Sequence, residues 1–171
     1  MSNKWSKILL FGLIAAILQL LFVNRINFLG VFNPKIYPIF LLLLPKNIKS
    51  VYLMLIGFIY GFLLDIFGQT YGIGMASSVM LCFIKPYLFR ILYSKREDDE
   101  LEIRIGIQGL GFILRYLAIG LLIFHIVYFF IELGEFRNIF YILWKSILST
   151  GLGVLLYALF ILMFTTNSNR K

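Results

Sequence analysis

The sequence predicts an all-α membrane protein with six transmembrane helices in a single domain. Of its 171 residues, 61% are hydrophobic and only 14% are charged, whereas about 25% of a soluble domain is charged. The mean hydropathy is +0.92. The apolar residues come in long blocks, and a helix needs about 20 such residues to cross a bilayer. Residues 1–171 are therefore assigned to one integral membrane domain.

Short polar or charged stretches divide the apolar blocks into spans. The second span is irregular, because Pro34, Lys35 and Pro38 interrupt it. Non-helical backbone is tolerated at membrane depth only where protein or water covers it. We therefore expect the first part of this span to pack against other helices or a partner. The six predicted spans run over about residues 8–23, 28–45, 51–67, 73–92, 105–131 and 139–164.

Basic residues predict the orientation, because cytoplasmic loops carry an excess of Lys and Arg. One side of the membrane receives the two termini and the loops after spans two and four. Arg25 and Arg137 fall on the other side, and Lys35 is ambiguous. Both termini are thus predicted to be cytoplasmic. The net charge of +8 then reflects orientation and contact with anionic lipid rather than nucleic-acid binding. The residues assigned to the cytoplasmic side are Lys4, Lys7, Lys46, Lys49, Lys85, Arg90, Lys95, Arg96, Arg104, Arg170 and Lys171.

The third span carries the most distinctive pattern, GFIYGFLLDIFGQTYGIG from Gly57 to Gly74. Gly57, Gly61 and Asp65 are four residues apart and share one face of a helix. Glycines at this spacing let a second helix approach closely in lipid. We therefore predict that this face packs against a helix, either within the bundle or in a partner.

Asp65 is the only acid within an apolar run, and an ionisable group at that depth needs a partner or a polar cavity. Counting along each span at about 1.5 Å per residue places Lys145 at a depth in the membrane similar to that of Asp65. The same count places the Arg115 side chain within reach of Asp65. The sequence therefore predicts a pair between Asp65 and Lys145 or Arg115. The alternative is that both bases snorkel independently and Asp65 caps the end of its span beside the polar loop.

No set of residues in the sequence indicates catalysis. It contains no nucleophile elbow, no phosphate-binding loop and no zinc-binding His-Glu-x-x-His motif. The single cysteine, Cys82, is expected to be a small buried residue, and the single histidine, His125, to lie at the membrane interface. We expect no enzymatic activity, no metal and no cofactor.

The segment LLLLP (Leu41 to Pro45), followed by GFIYGFLLDIF (Gly57 to Phe67) and a glycine-containing turn, resembles the rod shape-determining membrane protein MreD family. The resemblance covers most of the chain in layout and about forty residues in motif. Two departures are Lys35 between prolines and the unusually charged loop of residues 94–104, which is read as either a solvated loop or a docking site for a cytoplasmic partner.

The resemblance implies a non-enzymatic scaffold of the bacterial cell-elongation machinery in the inner membrane. It implies binding to a membrane-anchored MreC-type protein, near the glycosyltransferase and transpeptidase of peptidoglycan synthesis. A homodimer is a further candidate. It also implies a fold similar to the substrate-binding subunits of energy-coupling-factor transporters. The competing hypothesis is therefore a vitamin-binding transporter subunit, with a pocket formed by Asp65, Gln69, Tyr71, Lys145 and Gln19.

Overall fold

The computed structural model describes residues 2–21, 34–45, 47–92, 109–134 and 139–168. Residues 22–23 of the first predicted span, 28–33 of the second and 105–108 of the fifth lie outside these ranges, as does the charged loop 94–104. The described residues form six α-helices. The helices are α1 (Ser2–Leu21), α2 (Pro38–Leu43), α3 (Ser50–Gly68), α4 (Ile73–Leu92), α5 (Leu110–Leu133) and α6 (Ile139–Ser168).

Four of these helices are long and apolar enough to cross a membrane: α3, α4, α5 and the Ile139–Leu159 part of α6. The chain is therefore an all-α membrane-spanning protein. The apolar part of α1 within the described residues, Ile8–Leu21, is shorter. The second predicted span differs most from expectation, because α2 has only six residues and its start is preceded by non-helical backbone at residues 34–36.

The short helix α2 lies inside the bundle. It contacts α1, α4 and α5, while α3 packs on α4, α4 on α5, and α5 on α6. Leu41 and Leu42 are fully buried and meet Leu117, Leu121 and Phe124 of α5 in one core cluster. The first part of the second span is thus covered by protein at residues 34–37, as predicted.

The glycine face of α3 packs against α4. A Cβ atom on Gly57 would lie 2.8 Å from the Cys82 sulfur and 3.0 Å from the Ser78 carbonyl oxygen. One on Gly61 would lie 2.7 Å from the Met75 Cα atom. The two backbones therefore approach closely only because neither position has a side chain. The neighbour of Gly57 and Gly61 is therefore α4 of the same bundle, and Cys82 is buried against Gly57.

The bundle has two ends, which we name after the charged residues near them. The Asp65 end holds the C-terminal ends of α3 and α5 and the N-terminal ends of α4 and α6. The Lys85 end holds the opposite ends of these helices. Residues 34–45, which we call the inner segment, run from the Asp65 end towards Lys85.

Candidate functional site

The start of the inner segment is bound by a side chain of α1. The Gln19 Oε1 atom accepts a hydrogen bond from the Ile36 backbone N–H at 2.8 Å, and its Nε2 atom donates to the Pro34 carbonyl oxygen at 3.4 Å. These backbone groups have no helical partner, because Pro34 and the residues after it precede the first turn of α2. Gln19 thus satisfies non-helical backbone of the inner segment.

His125 binds the same stretch from α5. Its Nε2 atom accepts a hydrogen bond from the Lys35 backbone N–H at 3.1 Å, so the ring proton is assigned to Nδ1. Nδ1 lies 2.9 Å from the Leu121 carbonyl oxygen and 3.1 Å from the Thr150 hydroxyl oxygen. The expectation of an interfacial histidine is wrong: His125 is fully buried, because the backbone of the inner segment requires an acceptor there.

Lys85 binds the other end of the inner segment. Its ammonium group donates to the carbonyl oxygens of Leu41 at 2.9 Å and Leu44 at 2.7 Å. The Tyr116 hydroxyl donates to the Leu42 carbonyl oxygen at 3.1 Å. The last carbonyls of a helix lack partners within it and carry partial negative charge, so a cation is stabilising there. Lys85 is only 3% exposed, which places it in the core and not at the aqueous face where its sequence position suggested.

Asp65 joins α3 to the start of α4. Its carboxylate accepts hydrogen bonds from the Thr70 hydroxyl, from the Gly74 N–H at 3.1 Å and from the Met75 N–H at 2.8 Å. Gly74 and Met75 belong to the first turn of α4, where the helix dipole favours a negative charge. This arrangement resembles the alternative in which Asp65 caps its own span end beside the polar loop.

The turn between α3 and α4 brings these groups together. Gln69 and Tyr71 both have left-handed backbones, with φ angles of 54° and 49°. The N–H groups of Gln69 and Thr70 donate to the Asp65 carbonyl oxygen, and that of Ile73 donates to the Thr70 carbonyl oxygen. The turn therefore folds back over the Asp65 side chain, while the Tyr71 side chain is 95% exposed.

The two bases predicted to pair with Asp65 have other partners. Lys145 lies 2.8 Å from the Glu132 carboxylate and 4.3 Å from the centre of the Phe129 ring. Arg115 is exposed and donates to the Gly111 carbonyl oxygen one turn earlier on its own helix. Glu132 and Lys145 face each other across the α5–α6 connection, whereas Arg115 lies near the other end of α5.

The base that the structure brings to Asp65 is Lys35. Both residues line a small cavity of about 10 Å³, and the Lys35 nitrogen lies 5.2 Å from the centre of the Tyr128 ring. Lys35 is 4% exposed. In the sequence, Lys35 stood out as a charge between two prolines that interrupts the second span, but nothing connected it to Asp65. We call the residues around the cavity the polar cluster: Gln19, Lys35, Tyr37, Asp65, Thr70 and Tyr128.

A second feature is an apolar groove between α1 and α3, with a volume of about 520 Å³. The Tyr60 hydroxyl donates to the Gly12 carbonyl oxygen at 2.8 Å and connects the two helices. We call this feature the α1–α3 groove. It is lined by Leu9, Gly12, Leu13, Ala16, Ile17, Leu20, Phe40, Ile56, Ile59, Tyr60, Leu63, Leu64 and Phe67.

These features define the class of the protein: an all-α membrane-spanning bundle around a short inner helix that polar side chains hold at both ends. Among the described residues, no three His, Cys, Asp or Glu side chains are grouped closely enough to hold a metal ion. Comparison with known proteins finds no matching family model, no matching curated protein and no matching solved structure.

Proposed function

We propose that the protein is a non-enzymatic membrane scaffold of the bacterial cell-elongation machinery, which directs rod shape and peptidoglycan synthesis. It binds an MreC-type anchor protein and works beside the elongation glycosyltransferase and transpeptidase. In this proposal the chain crosses the inner membrane six times, with the inner segment completing the second crossing, and both termini are cytoplasmic. The bundle is similar to the substrate-binding subunits of energy-coupling-factor transporters. The basis for this identity is the resemblance of Leu41–Pro45 and Gly57–Gly74 to the MreD family.

The α1–α3 groove is the observation that best supports a scaffold. Its lining extends from Leu9 to Leu20 on α1 and from Ile56 to Phe67 on α3, or roughly 17 Å along each helix. That is more than half of a hydrocarbon core of about 30 Å. Helices associate in lipid by close packing, and an apolar groove of this length suits the side chains of one membrane-spanning helix. An MreC-type anchor would supply such a helix.

We assign the partner to a different face of α3 from the one that the glycine motif suggested. The glycine face at Gly57 and Gly61 is the motif that predicted an association surface, and it is occupied by α4. The groove on the other side of α3 includes Ile59 and Leu63, which are about half exposed. The proposed scaffold therefore presents α1 and α3 together to its partner.

The competing proposal, a vitamin-binding transporter subunit, requires a pocket near Asp65. Pockets for small molecules occupy about 300–1,000 Å³. The cavity in the polar cluster has a volume of about 10 Å³, which is room for about one water molecule. Of the residues named for that pocket, Lys145 is paired with Glu132 and Tyr71 points outwards. These observations favour the scaffold.

The test is a mild-detergent pull-down of the tagged protein from its native membrane, with two matched variants. Leu13 lines the groove and is 58% exposed, whereas Leu10 is 56% exposed on the same helix and does not line it. We expect the wild type and Leu10→Trp to recover a single-span coiled-coil protein with cell-wall synthases. Leu13→Trp should reduce that recovery at least about tenfold, a loss of about 1.4 kcal/mol in binding.

Two outcomes would contradict the proposal. Equal recovery with both variants would remove the groove as the partner site. Recovery of an ATPase module together with a bound vitamin would replace the scaffold with the transporter subunit.

A further inference from the structure

Tyr37 is a buried polar residue that the contacts described above leave unexplained. It is 3% exposed, and among the described residues its hydroxyl makes no hydrogen bond of acceptable geometry. The Ser78 hydroxyl lies near it and is also buried without such a bond. Its ring packs edge-on against Tyr60 and Phe124, with centroids 5.9 Å and 5.4 Å apart. A buried hydroxyl without a partner destabilises the folded state, so most such groups bind protein or ordered water.

The Tyr37 hydroxyl lies close to the Asp65 carboxylate. The Tyr37 oxygen and the Asp65 Oδ1 atom both lie less than 3.0 Å from the point where a Cβ atom on Gly74 would stand. They are therefore close enough to share one bridging water. Both residues line the cavity of about 10 Å³, and a buried water needs about 10–15 Å³ with two to four polar partners.

The Asp65 carboxylate has the capacity for a further bond. Its two oxygens offer about four acceptor sites, and protein groups use three of them: the Thr70 hydroxyl and the N–H groups of Gly74 and Met75. A cation is a poor ligand here, because the Lys35 side chain lines the same cavity. A neutral molecule that both accepts and donates hydrogen bonds satisfies all of these conditions.

We propose that this cavity is a binding site for one water molecule, which accepts a hydrogen bond from the Tyr37 hydroxyl and donates one to Asp65. Gln19 and Thr70 line the same cavity and offer further partners. Gly74 keeps this region open, since a Cβ atom there would crowd both the Tyr37 hydroxyl oxygen and the Asp65 carboxylate. The water joins the inner segment to the turn between α3 and α4.

The stability of Tyr37→Phe tests this site, because a hydrated and a dry cavity predict opposite signs. With bound water, the variant breaks the bridge and lowers the melting temperature by about 2–4 °C. Without bound water, the variant removes an unsatisfied hydroxyl, and the melting temperature stays the same or rises. Ser149→Ala is the matched control, since its hydroxyl is also buried without a partner among the described residues but does not line this cavity. The control should not lower the melting temperature.

A high-resolution crystal structure provides the second measurement. We expect a single density peak between the Tyr37 and Asp65 oxygens in the wild type and its loss in Tyr37→Phe. A wild-type map that resolves other buried waters but shows no peak at this position would overturn the proposal. A Tyr37→Phe variant at least as stable as the wild type would also overturn it.

Discussion

The buried polar side chains of this protein act mainly on backbone. Gln19, His125 and Lys85 all bind main-chain groups of the inner segment, and none of these contacts is with another charged side chain. An unsatisfied backbone group in hydrocarbon costs several kcal/mol. Wherever the backbone is not helical inside a membrane, its N–H and C=O groups therefore need side-chain partners of this kind. Gln19 and Lys85 each bind two main-chain groups, and the Lys85 bonds are the stronger kind because their donor is charged.

Replacing Lys85 with methionine should therefore destabilise the bundle. Methionine is about as long but donates no hydrogen bond, so the Leu41 and Leu44 carbonyls lose their partner in the core. We expect a loss of about 2–6 kcal/mol in the free energy of unfolding, because each of the two unsatisfied carbonyls costs about 1–3 kcal/mol. Reversible denaturation in detergent measures it.

Arg90→Met provides the control, because Arg90 is an exposed base on the same helix near the same end. Its replacement should change stability by less than about 0.5 kcal/mol. Similar effects for the two variants would show that Lys85 contributes through its charge near the membrane surface and not through the inner segment.

Sequence alone identified Asp65 as a buried acid but not its neighbours. Counting along a span gives depth only, and depth was the basis for pairing Asp65 with Lys145. The partner of a buried charge also depends on which helices are neighbours in the bundle. In the structure, Lys145 pairs with Glu132, and Lys35 lines the same cavity as Asp65. The sequence did suggest that Asp65 could cap a helix end, because its capping partners are close to it in the chain. Thr70 and Gly74, which bind its carboxylate, follow it by five and nine residues.

At the scale of elements, the sequence predicted the uninterrupted helices best. The expected spans at about 51–67 and 73–92 correspond closely to α3 (Ser50–Gly68) and α4 (Ile73–Leu92). The second span could not be predicted in the same way. Its six-residue helix depends on Gln19, His125, Lys85 and Tyr116 from other elements, and hydropathy of the segment itself contains no information about them.

The packing of α3 on α4 predicts opposite effects for two glycine substitutions. A Cβ atom on Gly61 would meet the Met75 backbone, so Gly61→Ala must separate the helices and should cost about 1–3 kcal/mol of stability. At Gly151 of α6, a Cβ atom would have no other atom within 4 Å, so Gly151→Ala should be neutral or stabilise by about 0.5–1 kcal/mol. Thermal unfolding of both variants in one detergent gives the comparison, and a stabilising Gly61→Ala would contradict the close helix approach.

At the scale of the whole molecule, composition alone predicted the membrane class, and four long apolar helices agree with it. The orientation stays a prediction from the basic residues, because it depends on which side each loop reaches. Each end of the bundle has an exposed residue at which a labelling experiment can determine the orientation in the membrane. Tyr71 lies at the Asp65 end, and Asn47 lies at the Lys85 end between α2 and α3.

Cysteine labelling in a Cys82→Ala background tests the orientation. A membrane-impermeant thiol reagent should label Tyr71→Cys in intact cells, because the Asp65 end is predicted to face outwards. Asn47→Cys should be labelled only after the membrane is opened. Cys82 itself should not react in the folded wild type, since it is fully buried. The reverse pattern for the two new cysteines would invert the predicted topology.

The hydrogen bonds of the inner segment constrain how the protein is made. Synthesis proceeds from the N-terminus, yet Lys85 and His125 follow residues 34–45 by 41 to 90 positions in the chain. When the inner segment leaves the ribosome, Gln19 has already been made, but Lys85, Tyr116 and His125 have not all followed it. It must therefore wait at the membrane surface, where water can serve its carbonyl and N–H groups, until α4 and α5 have been inserted. We therefore expect this early segment to take its final place only after α4 and α5 have been inserted.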